Sequence, residues 1–229
     1  MASGPRRRIA VRFQIAGDTR FISHRDTVRL FERALARGEI PVRRSAGFNP
    51  RPQLSLPLPR NVGIASDDEL LIIELATPLA ADEIHARLAP QLPAGVRLTD
   101  VRELAEHEAC IPTAAAYALP IEAGEAGQLA ERIRQFLAAD SVLIERTDAT
   151  SGRKRSVDVR QFVREVEIVD DRLLWTQTVS QSGSARPGEV LAALGLDPRQ
   201  RQHRLVRTRV SYDEPLAPNA IPHPQPNLE

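Results

Sequence analysis

Cysteine occurs once in the 229 residues, as Cys110, so no disulfide can form within the chain and a reducing compartment is expected. One thiol also excludes a self-contained thiolate-held iron–sulfur cluster or a structural zinc site of the usual kind. The five histidines (His24, His85, His107, His203 and His223) are scattered without ligand spacing, so no metal catalysis by the chain itself is expected. No apolar run reaches the ~18 residues of a membrane span, and no signal-peptide apolar region follows the basic start. Lysine is nearly missing, with Lys154 the one lysine among 31 basic residues. These absences leave a cytoplasmic globular protein with no membrane contact and no cofactor of its own. Hydrophobic content of 42% and charged content of 27% suit that class, and the length admits one domain or two small ones.

What is present is a strong segregation of charge. Residues 1–60 hold 13 Arg against 4 acidic residues, a balance of +9, whereas residues 61–150 hold 6 Arg against 16 acidic residues, a balance of −10. The remainder carries +2, for a formal net charge of +1. Such opposed fields suit a polyanion on one side and a basic protein partner on the other, or else neutralise each other in the fold.

Periodicity predicts an α+β chain. Ile9, Val11, Phe13 and Ile15 alternate with Arg8, Arg12 and Gln14, the pattern of a half-buried strand. Ser23 and Asp26 then form an N-cap and an acidic analogue of the capping box, with Gly38 as a C-terminal stop. Val28, Phe31 and Leu35 make the inward stripe of that helix, and Arg25, Arg29, Arg33 and Arg37 stack as a basic ridge on another face. A short strand over Pro41–Ser45, extended chain over Leu54–Leu58, a strand over Leu70–Leu75, a helix over Ala80–Leu92 and a strand over Val96–Leu104 complete the first half. The order is βαββαβ, a ferredoxin-like plait.

The second half repeats the order. It has strands over Ala116–Ile121, Val142–Arg146, Val157–Ile168, Leu173–Val179 and Leu205–Tyr212, and helices over Glu125–Ala139 and from Pro187 to Gly195. In the last strand Arg207 and Arg209 are expected to alternate against Val206, Thr208 and Val210. The expectation is therefore two tandem ferredoxin-like halves, 1–112 and 113–212. A tail over 213–229, with five prolines in 17 residues, is expected to be disordered.

Four places carry candidate chemistry. Ser23-His24-Arg25-Asp26 has the residue types of a triad, but Ser23 and Asp26 are needed as caps, and His24 is left as a weak candidate for phosphate contact or acid–base work. In the loop Arg43-Arg44-Ser45-Ala46-Gly47-Phe48-Asn49-Pro50-Arg51-Pro52, the arginines suit phosphates, Phe48 a base face and Asn49 a base edge. Alternatively Phe48 plugs the gap between helix and sheet and Asn49 caps the turn; Gly47 serves a close backbone approach or a positive φ. Arg153, Lys154 and Arg155 form a basic hairpin tip. Gln181–Gly188, with Arg186, has the look of a small anion loop running into a helix N-terminus.

Phe21-Ile-Ser-His-Arg-Asp26, Phe31-Glu-Arg33, Ile40-Pro41, Ser45-Ala-Gly-Phe-Asn-Pro50, Leu54-Ser55 and Pro57-Leu58 together resemble the radical SAM-linked protein family, a domain of unknown function. Asp158-Val-Arg160 and Arg186-Pro-Gly-Glu-Val190 continue the likeness. Two departures stand out: Arg25 replaces an apolar residue, and Arg51 and Gln53 replace His and Lys. The resemblance implies a radical SAM enzyme as partner, with the iron–sulfur cluster and S-adenosylmethionine on that partner only. Combined with the basic segment, it gives the expectation of a non-catalytic accessory protein that binds RNA or presents it as substrate to the enzyme. A protein-binding adaptor without RNA contact is the second expectation. A metal-independent endoribonuclease using His24 is the third.

Overall fold

A computed structural model of the chain describes residues 7–106, 108–147, 151–180 and 183–212, in two compact units, 1–111 and 112–229. The proline-rich tail, Asp148–Thr150, Gln181, Ser182 and His107 lie outside the described residues, and so does the expectation of a disordered tail. Both units are α+β with antiparallel sheets; the described residues form ten strands and five α-helices. No described helix is long and apolar enough to cross a membrane.

In the first unit the alternating segment becomes β1 (Arg7–Ile15), and Ile9, Val11, Phe13 and Ile15 are all buried. It is followed by α1 (His24–Arg37), β2 (Leu54–Ser55), β3 (Ala65–Leu75), α2 (Ala81–Leu88) and β4 (Val96–Glu103). The strands run β4-β1-β3, and the two-residue β2 pairs with β3 at Ile72 and Ile73. Phe31 of α1 meets Phe13 of β1 edge-on, with centroids 4.7 Å apart, at the centre of the core. The buried stripe of α1 is Thr27, Phe31, Ala34 and Leu35, so Val28 sits at its margin rather than within it.

Three boundaries differ from expectation for identifiable reasons. β3 starts five residues early, because its acidic beginning is accepted by β1: Asp68 pairs with Arg12, and Glu69 lies opposite Phe13. Pro41–Ser45 makes only isolated bridges, Val42 to Leu75 and Arg44 to Pro52, and is no strand. The helix over Ala80–Leu92 ends at Leu88 and tightens into a 3₁₀ turn over Ala89–Gln91, where Pro90 lacks the N–H that would continue it.

Gly95 closes this unit at the start of β4. Its φ is +86°, and a Cβ built there would lie 2.5 Å from both Ala16 O and Thr19 Oγ1. Gly95→Ala should therefore destabilise the unit by about 2 kcal/mol or more. Urea denaturation checks this: an unchanged midpoint would show that the turn simply relaxes.

The second unit comprises β5 (Pro112–Pro120), α3 (Ala126–Ala138), β6 (Leu143–Thr147), β7 (Lys154–Asp158), β8 (Val163–Val169), β9 (Arg172–Thr178), α4 (Pro187–Ala193), α5 (Pro198–Arg201) and β10 (Val206–Tyr212). Its sheet runs β10-β5-β9-β8, while β6 and β7 form a separate ribbon. Tyr117 and Trp175, cross-strand partners on β5 and β9, stack at 5.1 Å. The expected strand over Val157–Ile168 is broken in two by Asp158 and Arg160. Asp158 Oδ1 accepts from Val142 N (2.9 Å) and Arg160 N (3.1 Å), fastening the ribbon. Arg160 donates to Val163 O (2.9 Å) and to Leu137 O (3.3 Å) at the end of α3. The Asp158-Val-Arg160 motif is thus a structural clamp. In β10 the expected alternation fails at a bulge between Arg207 and Arg209, which leaves Arg207 2% exposed and only Arg209 facing solvent.

Candidate nucleic-acid interface

The loop between α1 and β2 has a firm base and an open tip. At the base, Arg43 N donates to Glu74 O of β3 (2.7 Å), Gln53 N to Arg43 O (2.7 Å), and Glu74 N to Gln53 O (3.0 Å). One step further out, Ser45 N donates to Arg51 O (2.8 Å) and Arg51 N to Ser45 Oγ (3.0 Å). These bonds fix two strand-like arms, so the tip Ala46–Pro50 is held although it contacts little.

Gly47 has a φ of +124°, and no atom lies within 4 Å of a Cβ built there, so the turn requires its conformation rather than a close approach. Phe48 is 106% exposed and plugs no gap, which corrects one of the two readings of that residue. Arg44, Asn49 and Arg51 are exposed beside it. Arg44 reaches only Pro50 O at 3.4 Å, whereas Arg43 is half-buried and already partnered. Among the described residues neither Arg44 nor Arg51 enters an ion pair, and both side chains face solvent.

Ser23 and Asp26 perform the capping expected of them. Asp26 N donates to Ser23 Oγ (3.1 Å), and Ser23 Oγ–H donates to Asp26 Oδ2 (2.7 Å). That hydroxyl, helped by Arg29, holds the Asp26 carboxyl below its ordinary pKa. Arg25, Arg29, Arg33 and Arg37 all face solvent; Arg29 pairs with Asp26 and Arg37 bonds Gln91, which leaves Arg25 and Arg33 without a partner among the described residues. His24 is half-buried, lining a cleft of ≈ 10 Å³, about one water, with Phe13, Thr27, Leu56, Arg60 and Glu69. Arg43 and Arg44 do not line this cleft; Arg60 is the arginine that does.

The other candidates belong to the second unit. Arg153, Lys154 and Arg155 are exposed on the ribbon, and Lys154 Nζ pairs with Glu145 at 2.8 Å, which raises its pKa through that hydrogen bond and the charge of Glu145. The start of α4 is not a vacant anion site. Glu189 accepts from Arg186 N (2.8 Å) and from Arg146 Nε and Nη2 (2.5 Å each), Pro187 has no N–H, and the negative charge at this terminus is the chain's own. Gln181 and Ser182 of the expected anion loop lie outside the described residues, and among the described residues 183–188 only Arg186 is exposed.

Neither Arg60 nor the Arg146–Glu189 pair was identified from sequence. Arg60 donates to four backbone carbonyls, those of Arg20, Ile22, Asn61 and Ile64, and its one sequence signal is a lone cation among Pro57, Pro59 and Gly63. Among the described residues no cluster of three or more His, Cys, Asp or Glu could hold a metal ion.

The chain is thus an α+β protein with an arginine-flanked aromatic loop on a rigid base. Residues 8–187 match a family described as an uncharacterized protein conserved in bacteria (DUF2344), and the chain belongs to that family. The description names no activity, cofactor or partner. No curated protein matches the chain.

Proposed function

We propose that this protein binds single-stranded RNA and presents it to a separate enzyme, with the Arg44–Arg51 loop as the principal contact. The observation that carries the reading is the full exposure of Phe48 on an anchored loop, between two exposed arginines that pair with no acidic group among the described residues. An exposed ring offers a π-face to any unstacked base, guanidinium groups grip the flanking phosphates, and the Asn49 amide can pair with a base edge. Because the base of the loop is already bonded to β3, binding orders few new residues. Arg25 and Arg33 on α1 extend the cationic surface. Arg153, Arg155 and Arg186 supply a further set on the second unit.

The sheet orders β4-β1-β3-β2 and β10-β5-β9-β8, each with βαββαβ connectivity when the β6–β7 ribbon is set aside, support reading both units as ferredoxin-like. The enzyme served is proposed to be a radical SAM protein, on the strength of the motifs from Phe21 to Leu58. It would bring the cluster and S-adenosylmethionine, and both would act in the cytoplasm. RNA binding by the purified chain, titrated at several salt concentrations, tests the reading. Sub-micromolar affinity that falls steeply with salt supports it. Affinity no better than that of a neutral control protein refutes it and favours the protein-binding adaptor.

A further inference from the structure

Phe48 is not the only exposed ring of the first unit. Phe21 is 51% exposed, whereas Phe13 and Phe31 are buried. Its backbone is clamped on both sides. Arg20 O accepts from Gly63 N (2.9 Å) and from Arg60 Nη1 (2.7 Å), Ile22 O accepts from Arg60 Nη2 (3.4 Å), and Ile22 N closes the turn onto Thr19 O (3.3 Å). The Arg20 guanidinium lies 4.8 Å from the centroid of the ring, and Gly63 passes beside it, so that a Cβ built there would stand 3.6 Å from Phe21 Cε1. Val62, also 51% exposed, sits on the loop that Arg60 fastens.

We infer that Phe21, with Arg20 stacked on it, is a second nucleobase platform, which takes an unstacked base of single-stranded RNA. The inference rests on the RNA-binding reading above and extends it from one stacking position to two. A ring held by a clamped backbone loses little freedom when a base settles on it. The guanidinium at 4.8 Å adds a positive charge that the phosphate next to a stacked base would meet, which an apolar protein side chain would not need. The surrounding segment carries 13 arginines in its first 60 residues, a field that concentrates polyanions. Arg60 is a positioning residue here, its guanidinium committed to carbonyls that fix the turn.

The test is an anisotropy titration of the full chain with three labelled probes: a single-stranded oligoadenylate, an abasic strand of the same length and charge, and a blunt RNA duplex. Phe21→Leu keeps the apolar bulk and removes the π-face. It should weaken oligoadenylate binding about 10-fold and leave the abasic strand and the duplex unchanged, and Phe21→Trp should restore the loss. Equal weakening on the oligoadenylate and abasic strands, or none on oligoadenylate, overturns the platform. A melting curve matching wild type excludes misfolding as the cause, and the rescue by Trp separates the two in any case. If the wild type binds none of the probes, the RNA-binding reading itself falls. If it binds and responds to charge reversal at Arg44 and Arg51 but not to Phe21→Leu, only the platform falls.

Discussion

Reversing charge at Arg44 and Arg51 together should cost the protein about 100-fold in affinity for single-stranded RNA at low salt. Each arginine lost removes a charge-assisted contact of about 1.5–3 kcal/mol, and solvent exposure discounts the pair to roughly 3 kcal/mol. The slope of log affinity against log salt should flatten by about two for the two phosphates no longer neutralised. Arg43→Glu is the less informative variant, because that side chain is half-buried and partnered, so its replacement also disturbs the fold. A double variant that binds RNA with unchanged affinity and salt slope would remove the loop from the interface.

The largest stability effect is expected at Glu189. Its carboxylate and the Arg146 guanidinium are each only 10% exposed and meet through two bonds of 2.5 Å. Glu189→Ala leaves Arg146 buried without its counter-charge and frees Arg186 N, a loss of about 3–5 kcal/mol and of roughly 10 °C in melting temperature. Arg146→Met/Glu189→Leu should recover most of that loss, since an apolar pair of similar volume avoids the desolvation of two ions. Burial pushes the Glu189 carboxyl up, but the bonds from Arg146 and from Arg186 N outweigh it and hold its pKa below the ordinary value. Its contribution is therefore fully present above the unfolded value of about 4.3 and is lost as pH falls through the lower folded value. Thermal melts of wild type and Glu189→Ala should converge as pH drops below about 4. A gap that stays constant into acid would show that the pair contributes packing rather than charge.

Those two sites differ in how far sequence alone reveals them. The cap of α1 is legible because Ser23 and Asp26 act within three residues of each other, and β1 because alternation is a local pattern. The turn in the loop was legible from its glycine and prolines, and Gly47 has the positive φ that such a turn requires. Whether Phe48 filled a gap or faced solvent depended on the space around it, which no spacing encodes. Distance hid the rest. Glu189 meets Arg146 43 residues away, the acidic start of β3 is stabilised by Arg12 across the sheet, and Arg207 is turned inward by a bulge that leaves no mark on composition. The rigidity of the turn at Phe21 rests on Arg60, 40 residues beyond Arg20, whose carbonyl it binds.

The Lys154–Glu145 pair has a practical consequence for trapping complexes. Lys154 carries the one ε-amine in the chain, and Glu145 keeps it protonated to higher pH, so the nucleophilic free base is scarcer there than on an unpaired lysine. Acylating agents and amine-directed cross-linkers will find this protein nearly inert, on the first unit above all, where residues 7–106 contain no lysine. Within residues 7–106 such reagents have no side-chain amine through which to capture a partner bound to the arginine loop. Guanidine-directed dicarbonyls, which attack arginine, are the reagents whose protection pattern would outline its footprint.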